Sequence, residues 1–247
     1  MDATYDEIGR LYRRHRRPDP RLATQVMAAL GDARWVVNVG AGSGSYEPGT
    51  TVAAVEPSAV MVAQRPPGSA PVVRAVAERL PFPDRAFDAA LAVLTLHHWA
   101  DKEAGLAELR RVSRRQVVFC TDLAVSNAFW LVADYFPEVV AIEEGRDASP
   151  GLIAERLGPH ARIEVLPVPR GCTDGFQNAY WDRPEAYLDP EVQACMSTLA
   201  VLPPEVLARG LGRLRADLES GAWHERHGHL LDRTSIDGGY RLVVAEQ

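Results

Sequence analysis

The chain has 247 residues, 47% hydrophobic and 24% charged, the balance of an ordinary globular protein, with room for one large domain or one domain carrying an inserted lid. A net charge of −6 gives no general attraction to a polyanion, which speaks against RNA or DNA as partner. Three cysteines without a close pair (Cys120, Cys172, Cys195) exclude a disulfide framework and a CxxC metal or redox site. The acidic, polar start from Met1 to Glu7 does not read as a signal peptide, and no apolar run approaches the ~20 residues of a membrane span. A cytoplasmic, reduced protein without membrane contact is the expectation.

In chain order, Tyr5 to Arg17 reads as a helix stopped by Pro18-Asp19-Pro20, and Arg21 to Leu30 as a second, closed by Gly31. The arginines of Arg13-Arg14-His15-Arg16-Arg17 would spread around that first helix as a solvated face rather than gather into a nucleic-acid patch. Trp35 to Val39 is a short run rich in β-branched residues that leads straight into Gly40-Ala41-Gly42-Ser43-Gly44. A second strand, Thr51 to Val55, ends at Glu56-Pro57, and Ser58 to Gln64 reads as a short helix. Pro71 to Ala75, Phe87 to Leu96 and Gln116 to Thr121 supply three further strands. Between the last two, Lys102 to Arg111 is helical, with Leu106, Leu109 and Val112 on one face.

After Thr121 the rhythm breaks. Asn127 to Val140 is helical and aromatic-rich, Ile163 to Val168 is a sixth strand and Tyr240 to Ala245 a seventh. Gly171 to Gly239 holds no parallel strand but one good helix, Pro204 to Ser220. Alternating strands and helices at this spacing predict an α/β fold: a doubly wound, seven-stranded, mostly parallel sheet with a helical lid insertion before its last strand. Its ligand would lie at the carboxyl ends of the strands. The division is an N-terminal helical cap (1–30), a ligand-binding core (31–170), the lid insertion (171–239) and the last core strand (240–247).

Glycines in the loop after the first strand, before a segment that turns back, let the backbone approach a nucleoside-bearing ligand with no Cβ in the way. The dinucleotide fingerprint G-x-G-x-x-G needs glycine at position 45, where this chain has Ser45, and the third glycine comes one residue early. That disfavours a nicotinamide-dependent oxidoreductase. At the end of the next strand, Glu56 is placed to accept from both hydroxyls of a ribose.

The G-x-G-x-G pattern and the hydrophobic strand before it resemble motif I of the class I S-adenosylmethionine (SAM)-dependent methyltransferases. Ala77-Glu78-Arg79-Leu80-Pro81-Phe82-Pro83, then Phe87-Asp88, is similar to their AExLPF and FD stretches. Leu96-His97-His98-Trp99 resembles the LHH at the end of their fourth strand. The resemblance spans roughly Val36 to Thr121. It implies a Rossmann-like core and SAM as cofactor. Gly40, Ala41, Gly42 and Gly44 would lie along the methionine and ribose, and Glu56 would hold the ribose with Pro57 and Ser58 flanking the adenine. Ala77 and Glu78 would line the adenine edge, with Val93 and Leu94 beside the methionine. Two positions depart from the pattern. Asn38 stands where the family often has an acidic residue against the SAM ammonium, and Val76 where it often has an aspartate for the adenine amino group.

Methyl transfer from a sulfonium is an in-line displacement that needs the nucleophile aligned and dehydrated; a phenol, acid or amine also needs a proton removed, which suits histidine. His97 and His98 are the catalytic candidates. Alternation along an extended fourth strand favours His98, which shares its parity with Leu94. Tyr180 and Trp181, among the insertion's aromatic residues, and His224 and His227 are candidate substrate contacts, as are Tyr5 and Tyr12 of the N-terminal segment. The run His224 to His229 lacks the HExxH pattern, so no metal is expected. The resulting expectation is a methyltransferase acting on a small molecule, a monomer or homodimer. The alternatives are a SAM-using enzyme that does not methylate, such as a cyclase, and a SAM-fold binding protein without catalysis.

Overall fold

The protein is described here by a computed structural model covering residues 16–143 and 148–247. Short runs of valine and alanine form the middle of the sheet, because strands covered on both faces need side chains that are apolar on both. In β1 (Val36–Val39) every residue is buried; β2 (Thr51–Val55), β3 (Val72–Val73), β4 (Phe87–Val93) and β5 (Ser113–Thr121) run parallel to it. β6 (Arg162–Val165) follows, then β7 (Val168–Pro169), β8 (Ser235–Ile236) and β9 (Tyr240–Glu246). The main sheet has the order β3-β2-β1-β4-β5-β9-β6, with β9 antiparallel to both neighbours. This is the expected seven-stranded, mostly parallel, doubly wound sheet. β7 and β8 pair separately, so the ends of the segment between them are drawn together in a two-stranded stem.

Helices cover both faces. On one, α1 (Pro20–Leu30) buries Leu22, Val26, Ala29 and Leu30 in the same cluster as Phe119 and Leu242 of the sheet. Asp19 caps it, accepting from the Arg21 backbone N–H at 2.9 Å, and Pro20 occupies the first turn, where no donor is needed. Arg21 also bonds the Asp19 carboxylate and holds it well below the usual carboxylate range. On the opposite face, α2 (Lys102–Val112) and α3 (Pro150–Leu157) bury Leu106, Leu109, Ile153 and Leu157 against the other side of β4 and β5.

Several boundaries differ from expectation. Arg16 and Arg17 lie outside any helix, and Arg16 pairs instead with Asp174 across the chain. The expected helix over 127–140 is broken into a π-turn at Leu131–Tyr135 and a helix from Glu138 to Glu143, with a separate short helical turn before it at Leu123–Ser126. Phe129, Trp130, Leu131, Val132, Tyr135 and Phe136 all bury, which no single straight helical face can do. β4 stops at Val93 rather than Leu96.

The 171–239 segment holds α4 (Pro204–Ser220) and α5 (Ala222–His227) and packs onto the α1 side of the sheet. Trp181, Tyr187 and Trp223 in it are fully buried. Trp181 is therefore a core side chain rather than the wall of an open site. Trp181→Ala should lower the unfolding free energy by about 3–5 kcal/mol in denaturant titration, the usual cost of deleting a buried large aromatic. A change below about 1 kcal/mol would show that the segment contributes little to the core.

Candidate active site

The order of strands reverses between β1 and β4, and a cleft of about 1030 Å³ opens at their carboxyl ends. The loops after β1, β2, β3 and β4 all line it. Its volume stands at the top of the roughly 300–1,000 Å³ range of small-molecule sites.

The glycine loop is fastened to the end of β2. The backbone N–H groups of Gly40 and Ala41 donate to the Val55 carbonyl at 2.9 and 3.0 Å. Gly40 has φ +68°, and a Cβ built there would lie 2.1 Å from Thr95 Oγ1, so glycine is required for both conformation and space. Glu56, 7% exposed, holds the next step: Oε2 accepts from Gly42 N and Oε1 from Ser58 N, each at 2.8 Å. Its carboxylate is thereby fixed in the cleft wall with lone pairs still available to hydroxyl donors.

Opposite, β4 ends because Leu94 takes φ +46° and its N–H donates to Phe119 O at 2.8 Å. A 3₁₀ turn, Leu96–His98, then carries the two histidines. Strand alternation does not extend to them, so the expectation that one faces away is corrected: His97 and His98 both line the cleft, with ring centroids 3.8 Å apart. His97 is half-buried and His98 exposed. Glu78 anchors this turn, accepting from Ala100 N at 2.7 Å and Asp101 N at 3.2 Å. Trp99 packs against Gly105 of α2, where a Cβ would come within 2.3 Å of its ring.

Asn38, Gly40, Ala41, Gly42, Glu56, Pro57, Ser58, Ala77, Glu78, Val93 and Leu94 meet around this single cleft. Gly44 lies at the far end of the loop, with φ +94°. The insertion's candidates stand elsewhere. Tyr180 is half-buried beneath the Arg183 guanidinium, 4.8 Å from its ring, and edge-on to Tyr187. His227 Nε2 lies 2.7 Å from Asp134 Oδ2, its ring beside Trp130 and Trp223, and His224 is exposed beside Trp223. None of Tyr180, Trp181, His224 and His227 lines the cleft: Trp181 is fully buried, Tyr180 packs with Arg183 and Tyr187, His227 pairs with Asp134 and His224 is exposed. Tyr5 and Tyr12 lie outside the described residues. Among those residues no group of three or more His, Cys, Asp or Glu gathers as a metal site, and no helix is long and apolar enough to cross a membrane.

Sequence reasoning missed Arg16, Arg74, Met61, Thr95 and Trp99 in the cleft wall. Thr95 and Trp99 flank residues that were singled out, and their position after β4 was the available signal. Arg16 carries no such signal, since it is placed by Asp174, 158 residues away.

The residues present fit a SAM-sized nucleoside. The loop leaves no Cβ between backbone and ligand, a buried carboxylate stands at the second strand's end, and Asn38 Oδ1 is buried without a partner. Comparison with known proteins points the same way. Residues 37–121 match the family described as a methyltransferase domain. The whole chain is similar to a protein of Anabaena variabilis named as a methyltransferase from an antibiotic biosynthesis pathway: 29% identity, 94% of this chain and 99% of that one covered, TM-score 0.85. The fold is also that of a SAM-dependent methyltransferase of Thermotoga maritima (22% identity, 66% and 84% covered, TM-score 0.52). It is shared as well with geranyl diphosphate C-methyltransferase of Streptomyces coelicolor, whose complex contains S-adenosylhomocysteine (17%, 91% and 76%, TM-score 0.50). No curated protein matches the sequence.

Glu56→Ala should weaken S-adenosylhomocysteine binding at least tenfold in calorimetry. It removes bonds from a charged acceptor worth roughly 1.5–3 kcal/mol and frees the Gly42 and Ser58 amides that the carboxylate positions. Unchanged affinity would mean that the ribose is held elsewhere.

Proposed function

We propose that this chain, which belongs to the class I SAM-dependent methyltransferases, transfers the methyl group to a small molecule held in the same cleft as the cofactor. The observation that carries the reading is the cleft itself. It stands at the top of the small-molecule range in volume, and beyond Leu94 its wall is made by Thr95, His97, His98 and Trp99, groups outside the expected cofactor set. Similarity to a protein named as belonging to an antibiotic biosynthesis pathway supports a small-molecule substrate. The net charge of −6 argues against a nucleic acid.

Bound SAM supplies an electrophilic methyl on a positively charged sulfur. The protein's part is to align and dehydrate. Glu56 would hold the ribose, Gly40 and Gly42 would let the backbone close on it, and Ala77 with the neighbouring backbone would face the adenine. Glu78 Oε1 accepts from both the Ala100 and Asp101 amides and so holds the histidine turn against the adenine loop. A ring nitrogen of His97 or His98 would take the proton from a phenol, acid or amine as its oxygen or nitrogen attacks. His97 is the better placed of the two, because a half-buried imidazole keeps the nucleophile away from water while an exposed one does not.

Incubating the protein with methyl-labelled SAM and an extract of small metabolites should label a low-molecular-weight product and release S-adenosylhomocysteine. Release of methylthioadenosine instead would overturn methyl transfer in favour of another use of SAM. His97→Gln should slow turnover about 10²–10⁴-fold with S-adenosylhomocysteine affinity nearly unchanged, and His98→Gln should do less. If neither change slows turnover, alignment alone carries the reaction.

A further inference from the structure

β6 is the last strand in the sheet order, and among the described residues no strand pairs with its outer side. All four of its residues are exposed. The Leu166 N–H, just beyond it, donates to the Tyr240 carbonyl of β9 at 2.9 Å, which fixes the alternation along the antiparallel pair. Arg162 and Glu164 therefore turn their backbone groups toward β9, and Ile163 and Val165 turn theirs outward. Side chains alternate between the two faces of the sheet. Ile163 lies beside Val243 and Val165 beside Arg241, on the face that α3 covers. Arg162 and Glu164 share the other face and pair with each other at 2.6 Å.

An open strand edge offers N–H and C=O groups to any extended chain, and proteins ordinarily blunt it with charge. Here the two charges flank Ile163 and have opposite signs. The edge is also apolar: Ile163 is 46% and Val165 51% exposed, and Leu152 on the adjoining α3 is 39% exposed. A second copy of the chain meets these conditions in one register. Copies related by a twofold axis pair antiparallel, and outward backbone groups must meet outward backbone groups, so the axis can pass through position 162, 163 or 164. Centred on Arg162 or on Glu164, the pairing sets like charges directly opposite, which is destabilising. Centred on Ile163, it sets Arg162 of each copy opposite Glu164 of the other. Those are non-hydrogen-bonded positions, where facing side chains stand closest, and the Ile163 N–H of each copy donates to the Ile163 carbonyl of the other.

We propose that β6 is the edge through which two copies of this chain join, antiparallel across a twofold axis at Ile163, so that the sheet runs on from one molecule into the next. Arg162 and Glu164 set the register, and Ile163, Val165 and Leu152 supply the apolar contact on the α3 face. A four-residue edge belongs with the small interfaces, so the dimer is weak and its population depends on concentration. No residue of β6 lines the cleft, and each copy keeps a complete active site. The proposal stands apart from the reading of the cleft.

Analytical ultracentrifugation of the full chain tests it. As concentration rises into the high micromolar range, the wild type should pass from the 27.1 kDa monomer toward twice that mass. Arg162→Glu and Glu164→Arg each set like charges opposite in both halves of the interface, and each should weaken association about tenfold or more. The double swap Arg162→Glu/Glu164→Arg makes the charges opposite again and should recover wild-type association. Ile163→Pro removes the outward N–H without touching the bonds to β9, so it should leave the chain monomeric even if a charge variant folds poorly. A wild type that stays monomeric at every concentration overturns the proposal. A dimer that the single charge variants and Ile163→Pro leave intact also overturns it, because the interface then lies elsewhere. Losses in the single variants that the double swap does not reverse overturn it too, because charge then does not set the register.

Discussion

One carboxylate holds the site together. Glu56 closes β2, and its two oxygens reach a donor in each of two loops, Gly42 after β1 and Ser58 after β2. Gly40 and Ala41 add backbone bonds to Val55 at the end of β2, and farther out Glu47 of the first loop accepts from Arg65, which follows β2. The sheet explains why such a link is needed. Parallel strands deliver their carboxyl ends to one edge, but each loop leaves that edge independently, and the cofactor must touch several at once. A charged acceptor shared between two backbone donors is a strong and directional way to fix their spacing.

The glycine loop is also tied outward. Tyr46 follows it in the left-handed region, φ +57°, a conformation that costs a bulky residue strain and persists only where the surroundings impose it. The imposing contacts are visible: its phenol donates to Asp174 Oδ2 at 2.9 Å and its ring packs edge-on against Phe119. Burial and the neighbouring carboxylate push its phenol far above the ordinary range, so it remains a donor. Asp174 in turn binds Arg16, and Asp19 accepts from Thr173 N. The cofactor loop, the start of α1 and the start of the insertion thus share one buried network. A change in any of them is felt by the others, because a buried hydrogen-bond network tolerates few half-made bonds.

Much of this was legible in the chain. Strands such as Thr51–Val55 and the helix Pro204–Ser220 fall where periodicity and proline signals put them. The cofactor-site residues predicted from the loop and strand-end motifs converge on one cleft, since these motifs are local and the parallel fold brings all of them to the same edge. The insertion was less legible. Tyr180, Trp181, His224 and His227 look like site residues because aromatic and imidazole side chains serve both sites and cores. Only the three-dimensional partners of these residues, such as Asp134 for His227 and Arg183 for Tyr180, separate the two uses. Glu47 and Arg65 were invisible for the same reason. They are ordinary loop charges in sequence and become a buried pair only when the loop folds over them.

The end of β4 shows how a small backbone event decides chemistry. Had the strand continued to Leu96, successive side chains would have alternated and a single histidine would have faced the cleft. Leu94 instead turns at φ +46°, a strained position for a leucine, and its N–H remains bonded to Phe119 O, so the sheet keeps its register while the chain leaves it. The turn that follows sets neighbours about 120° apart instead of on opposite faces, so His97 and His98 both reach the cleft. The strain at Leu94 is offset by what it places: Leu94 itself against the expected methionine end, Thr95 over Gly40, and both imidazoles at the same wall. Backbone strain of this kind concentrates where position matters more than stability. Here the position in question is that of two imidazoles relative to the cleft.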